Sequence, residues 1–131
     1  MIYAALTGIT RRVMKDLLSS RVRTLELRSP NNFVAMLNIQ PGERIFLTET
    51  SAPDVTTGTS GLIARVNGTQ IITHRTVQST DDYYEERESQ AARVQLQLVG
   101  IGRVRSAASS SSEAGLPLRL EVDEVRYCDA R

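Results

Sequence analysis

The strongest constraint in this 131-residue chain lies near its middle. Residues 62–66 alternate in strand fashion, Asn67-Gly68 follows, and residues 69–73 return. Asn and Gly tolerate the positive φ angles that a two-residue type I′ turn demands, so the pattern predicts a β-hairpin about Asn67-Gly68. A hairpin at the centre commits the neighbouring strands to mainly antiparallel pairing.

Other segments extend the picture. Residues 2–6 form a short apolar run ending at Gly8, and residues 24–28 set Thr24, Glu26 and Arg28 against Leu25 and Leu27. Residues 45–50 read as a buried strand. Val94, Leu96, Leu98, Gly100, Gly102 and Val104 alternate along a long one, whose two glycines predict a bulge or sharp bend. Leu116, Leu118, Leu120 and Val122 alternate next, but Val125 and Tyr127 change phase, which predicts a bulge near Asp123-Glu124.

Helices are fewer. Thr10 is a plausible N-cap with Ile9 before it as a staple, and Val13, Met14, Leu17 and Leu18 share one face at helical period. That predicts an amphipathic helix over residues 10–20. Pro30-Asn31-Asn32 reads as a turn before a short helix at 33–39, and Pro41-Gly42 as a second turn. Ser79 with Asp82 three residues on resembles a capping box, so the acidic stretch predicts a solvated helix over 81–90. The serine-rich residues 107–115 read as a mobile hairpin loop. The expected fold is therefore α+β, a small barrel of about six or seven mainly antiparallel strands with two or three short helices, in one domain spanning 1–131.

Composition narrows the function classes. The net charge is +1, so any nucleic-acid contact uses a local patch. Residues 1–28 supply one, with six Lys or Arg against two Asp or Glu. Lys15 is the only lysine among 16 basic residues, and arginine's planar donor fork suits carboxylate and phosphate. Cys128 is the only cysteine and His74 the only histidine, which removes an intrachain disulfide, a CxxC site and a two-histidine metal helix. No metal and no cofactor are expected. No apolar run approaches the length needed to span a bilayer, and residues 1–8 lack a signal peptide's charged start, so the expectation is a cytoplasmic protein without a membrane partner.

The run Leu17-Leu18-Ser19-Ser20-Arg21-Val22-Arg23-Thr24-Leu25-Glu26-Leu27-Arg28 resembles the signature of the ASCH family within the PUA-like superfamily. Pro41-Gly42-Glu43-Arg44-Ile45-Phe46-Leu47 is similar to that family's turn into a barrel strand, and Gly61-Leu62-Ile63-Ala64-Arg65-Val66 to its next strand. From Ala5-Leu6-Thr7-Gly8-Ile9 onward the chain also resembles an archaeal family of uncharacterised PUA-related proteins. The resemblance implies a PUA/ASCH-like β-barrel with a cleft between the early helix and the barrel, into which Arg23, Glu26 and Arg28 would point. One amidohydrolase branch of the family carries lysine where this chain has Arg23, and a threonine nucleophile where it has Glu26. Arginine does not deprotonate in proteins, so that chemistry is not expected here.

The candidate ligand- or RNA-binding residues are Arg11, Arg12, Arg23, Glu26, Arg28, Thr57 and Arg65. Arg11 and Arg12 occupy a helix first turn, where the dipole disfavours cations unless an anion is near. Thr57 belongs to the hydroxyl- and glycine-rich run 56–61, whose backbone N–H groups suit a phosphate nest. Arg65 lies on the strand that crosses the barrel. The leading expectation is a module binding RNA or a nucleotide-like small molecule. The alternatives are a protein-interaction or regulatory domain that contacts a partner through Tyr83 and Tyr84, and a hydrolase acting on a nucleoside-like substrate with Glu26 as acid or base.

Overall fold

The computed structural model describes residues 1–109 and 118–128. In chain order the elements are β1 (Ile2–Leu6), α1 (Arg11–Ser20), β2 (Val22–Leu27), α2 (Pro30–Leu37), β3 (Arg44–Leu47), β4 (Ser60–Ser79), β5 (Tyr84–Ser109) and β6 (Arg119–Tyr127), with a 3-10 turn at Ala52–Asp54. The sheet order is β2-β5-β4-β3-β1-β6, and β6 also pairs with β5. That extra pairing closes a ring through β1, β3, β4, β5 and β6. All pairs are antiparallel except β1 with β3, which the α1-β2-α2 crossover makes parallel.

α1 begins where the sequence predicts. Thr10 caps it, its hydroxyl accepting from Val13 N–H at 3.5 Å, and Leu17 is fully buried beneath it. α2 begins earlier than expected. Ser29 caps it and Pro30 sits in the first helical turn, where a missing N–H costs nothing. The expected turn at Pro30-Asn31-Asn32 is therefore the start of that helix.

The Asn67-Gly68 hairpin does not exist. Neither residue has positive φ, and β4 runs straight through them. Val66 pairs with Leu96 and Gly68 with Gln95, so Asn67 is one extra residue in the strand, a β-bulge. The chain turns instead at 80–83, where the Thr80 N–H donates to the Tyr83 carbonyl at 2.8 Å. The expected helix over 81–90 is also absent. From Tyr84 onward these residues pair with β4, Ser79 with Tyr84 through His74 with Ser89. A strand partner satisfies every second backbone group and outweighs a local capping signal.

Bulges also set the two cores. Ile63 pairs with Gly100 but Ala64 with Leu98, leaving Val99 as the extra residue and reversing the phase of β5. Val94, Leu96 and Leu98 consequently join the core beneath the helices, with Leu6, Leu17, Leu25, Met36 and Leu47. Val99 and Val104 join a second core on the other face of the sheet, with Phe46, Ile63, Leu120 and Val122. On β6, Gly102 pairs with Glu124 and Ile101 with Arg126, so Val125 is bulged, next to the expected position. Residues 110–115 of the expected serine-rich loop lie outside the described residues, and 107–109 form the end of β5.

β4 and β5 continue past the body of the sheet. Beyond Ala92, β5 loses β2 as a neighbour, and beyond Arg65, β4 loses β3. The remaining two-stranded arm from Thr73 to Ser79 is about 20 Å long at the usual strand rise.

Candidate functional site

A cleft of about 200 Å³ opens between the start of α1, the end of β2 and the start of α2. Ile9, Val13, Leu25 and Leu27 give it apolar surface, and Thr10, Glu26, Arg28, Ser29 and Asn32 give it polar groups. Both helix caps, Thr10 and Ser29, are therefore at its border, so two helix amino ends bring positive partial charge to one place.

Asn32 builds this corner. Its Oδ1 accepts from Thr7 N–H at 3.0 Å and its Nδ2 donates to the Thr7 carbonyl at 2.9 Å, both out of water. A side-chain amide thus imitates a strand partner and ties α2 to the chain just after β1.

Glu26 and Arg28 stand side by side on the wall. Arg28 donates to Glu26 Oε2 from Nη2 at 2.8 Å and from Nε at 3.1 Å. His74 Nε2 lies 3.2 Å from the other carboxylate oxygen, Oε1. The hydrogen bond from Arg28 first, and that from His74 second, hold the Glu26 carboxyl below its usual 4.5. Glu26 is thus an ionised acceptor at neutral pH, and the His74 tautomer that fits it carries its proton on Nε2. A depressed carboxyl pKa contributes stability that is present above 4.5 and is lost as pH falls through the lower folded value. Carboxyl-detected NMR should place the Glu26 midpoint below 4.5, and Arg28→Ala should move it upward. A midpoint unaltered by that substitution would show that the ion pair does not form in solution.

β2 lies against β5, with Glu26 opposite Arg93 and Thr24 opposite Gln95. β4 continues the same rows, with Gln70 opposite Arg93 and Gly68 opposite Gln95. Thr24, Gly68, Thr69, Gln70, Arg93 and Gln95 border a second, more open hollow of about 410 Å³.

The expected site residues divide. Glu26 and Arg28 line the cleft. Arg23 is on the other side of β2, in phase with Leu25 and Leu27, and its Nε is 3.8 Å from Asp16 Oδ2 of α1. It does not join Glu26 and Arg28, because an odd spacing along a strand puts residues on opposite faces. Arg11 Nε is 3.5 Å from Glu49, and Arg12 is exposed on the first turn of α1. Thr57 donates from its hydroxyl to the Arg105 carbonyl at 3.2 Å, and the Gly58 N–H is spent on the Val104 carbonyl. The run 56–61 is therefore tied to β5 rather than splayed as a nest. Arg65 sits mid-sheet between Arg44 and Gln97.

Sequence reasoning treated His74 singly and passed over Asn32 and Arg93. The polar alternation at 93, 95 and 97 was visible, but its alignment with Thr24 and Glu26 depends on a strand register that no local pattern reveals. Among the described residues no three His, Cys, Asp or Glu side chains cluster as a metal site requires. No helix among them is long and apolar enough to cross a membrane.

Residues 1–115 match the family described as "Protein of unknown function (DUF473)". The chain belongs to that family. It is also similar to uncharacterized protein MJ0105 of the archaeon Methanocaldococcus jannaschii, 26% identical over 98 residues. That match covers 75% of this chain and 61% of the relative, so the chain spans about three-fifths of that protein's length. No solved structure matches. In this DUF473 chain the Glu26–Arg28–His74 cluster stands beside the cleft.

Proposed function

We propose that this DUF473 chain is a PUA/ASCH-like barrel domain that binds RNA or a nucleotide-like ligand, with one base entering the cleft between α1 and β2. The observation that carries this reading is the pairing of Arg28 and Glu26 on one cleft wall. An ionised carboxylate accepts from an exocyclic amino group while the guanidinium's remaining N–H groups donate to a ring carbonyl or a phosphate. Apolar surface from Ile9, Val13, Leu25 and Leu27 suits the flat face of a ring. The volume, about 200 Å³, is below the roughly 300–1,000 Å³ of pockets for drug-sized ligands, so a single base fits better than a dinucleotide. The ring closed by β5–β6 pairing supports the barrel, and the basic first 28 residues support an anionic partner.

A carboxyl held ionised by Arg28 accepts hydrogen bonds and has no proton to deliver as a general acid, which leaves the hydrolase alternative only a base role for Glu26.

Fluorescence anisotropy with labelled structured RNA, and NMR titration with nucleoside monophosphates, test the proposal. Affinity should fall as salt rises. Arg28→Ala should weaken binding about tenfold or more, the usual worth of a hydrogen bond to a charged group. Arg28→Lys should restore little, because the planar fork is lost. A folded protein that retains neither ligand at low salt would end the reading.

A further inference from the structure

Among the described residues the arm formed by β4 and β5 has no strand on either side, and its two edges differ in character. The β5 edge carries four charged residues in succession, Glu85, Glu86, Arg87 and Glu88. Such charges are how natural sheets keep an edge from pairing with another chain. The β4 edge, from Thr69 to Ser79, has no acid, no lysine and no proline, and exposes Ile71 and Val77, 45% and 51% accessible. Its two ionisable groups are already engaged within the chain, Arg75 with Glu86 and His74 with Glu26. Long, rich in β-branched residues and with its one permanent charge paired to Glu86 of the same arm, this edge is a template for strand addition.

Its sequence also indicates what adds. Thr69-Gln70-Ile71-Ile72-Thr73-His74-Arg75-Thr76-Val77-Gln78-Ser79 is nearly palindromic in residue type about His74. A two-fold axis perpendicular to the sheet through His74 sets Thr69 against Ser79, Gln70 against Gln78, Ile71 against Val77, Ile72 against Thr76 and Thr73 against Arg75. Apolar and β-branched side chains thus meet their own kind, and the one ionisable self-pair, His74, keeps Glu26 of its own chain as a partner. Moving the axis to Thr73 would instead oppose Ile71 to Arg75 and Ile72 to His74.

We infer that two copies of this chain pair antiparallel through their β4 edges over residues 69–79, with His74 on the two-fold axis, joining the two sheets into one. Such an isologous contact closes on itself and adds about ten main-chain hydrogen bonds. Because a perpendicular axis keeps like faces together, both Glu26–His74 clusters lie on one side of the joined sheet. The inference stands independently of which ligand the cleft takes.

Light scattering and sedimentation of the full chain over a dilution series test it. The wild-type protein should have twice the chain mass, and Val77→Lys and Ile71→Lys should halve it with far-UV circular dichroism unchanged. In a Cys128→Ser background, His74→Cys should give a disulfide-linked dimer on mild oxidation. Gln70→Cys should not, since its two copies would be roughly 25 Å apart. A monomeric wild type would overturn the proposal. So would a dimer that survives both lysine substitutions, or cross-linking at residue 70 but not at residue 74.

Discussion

Phe46→Ala should destabilise the protein by about 3–5 kcal/mol, the usual cost of removing a fully enclosed aromatic ring. Phe46 has no accessible surface and sits in the second core with Tyr3, Ala5, Ile63, Val104, Leu120 and Val122. The strand opposite cannot move in to fill the hole. Gly61 of β4 already lies so close that a Cβ there would meet the Leu47 carbonyl oxygen at 2.2 Å and the Phe46 ring at 2.5 Å. The glycine is there because the ring takes its side-chain space, so backbone contact limits further collapse. Denaturant unfolding should show a lower midpoint with an unchanged slope. A loss under about 1 kcal/mol would mean that the ring is not the packed centre of that core.

Asn32→Ala should cost about 2–5 kcal/mol, because it leaves both main-chain groups of Thr7 unpaired out of water at about 1–3 kcal/mol each. Asn32→Asp should be no milder, since a carboxylate cannot donate to the Thr7 carbonyl and turns a satisfied contact into a repulsive one. The change also reaches the cleft. Asn32 lines it and ties the start of α2 beside Arg28, so ligand affinity should fall along with stability. Unfolding by denaturant and anisotropy on the same variant separate the two effects. If stability were retained, the amide pair would be replaceable by water, and the corner would be held by packing alone.

Some of this was open to reading from the chain itself. The α1 cap at Thr10 and its Val13-Met14-Leu17 face, the alternation of β2, and the phase change on β6 near Val125 are all short-range signals. Each involves residues within about four positions of one another, where backbone geometry alone relates sequence to direction. The resemblance likewise singled out Glu26 and Arg28, whose separation of two along a strand ensures that they emerge together.

Local chemistry gave the wrong answer along β4 and at the turn that follows it, and for one physical reason. Asn67-Gly68 permits a turn and Ser79-x-x-Asp82 permits a cap, but neither compels it. β4 has a complementary strand available for its full length, from Ser60 opposite Arg103 to Ser79 opposite Tyr84, and two bulges, Val99 on β5 and Asn67 on β4, offset each other. Cooperative pairing over that length outweighs two local preferences of order 1 kcal/mol.

The alternation of β2, the α1 cap at Thr10 and the Glu26–Arg28 pair were legible in the chain, because each is settled within a few residues. That His74, 48 residues away, completes that pair, that Arg23 turns instead to Asp16, and that β4 projects beyond β3 are set by the folded sheet. Those outcomes depend on which strands neighbour which and in what register. That is a property of the folded sheet as a whole, and no window of the sequence contains it.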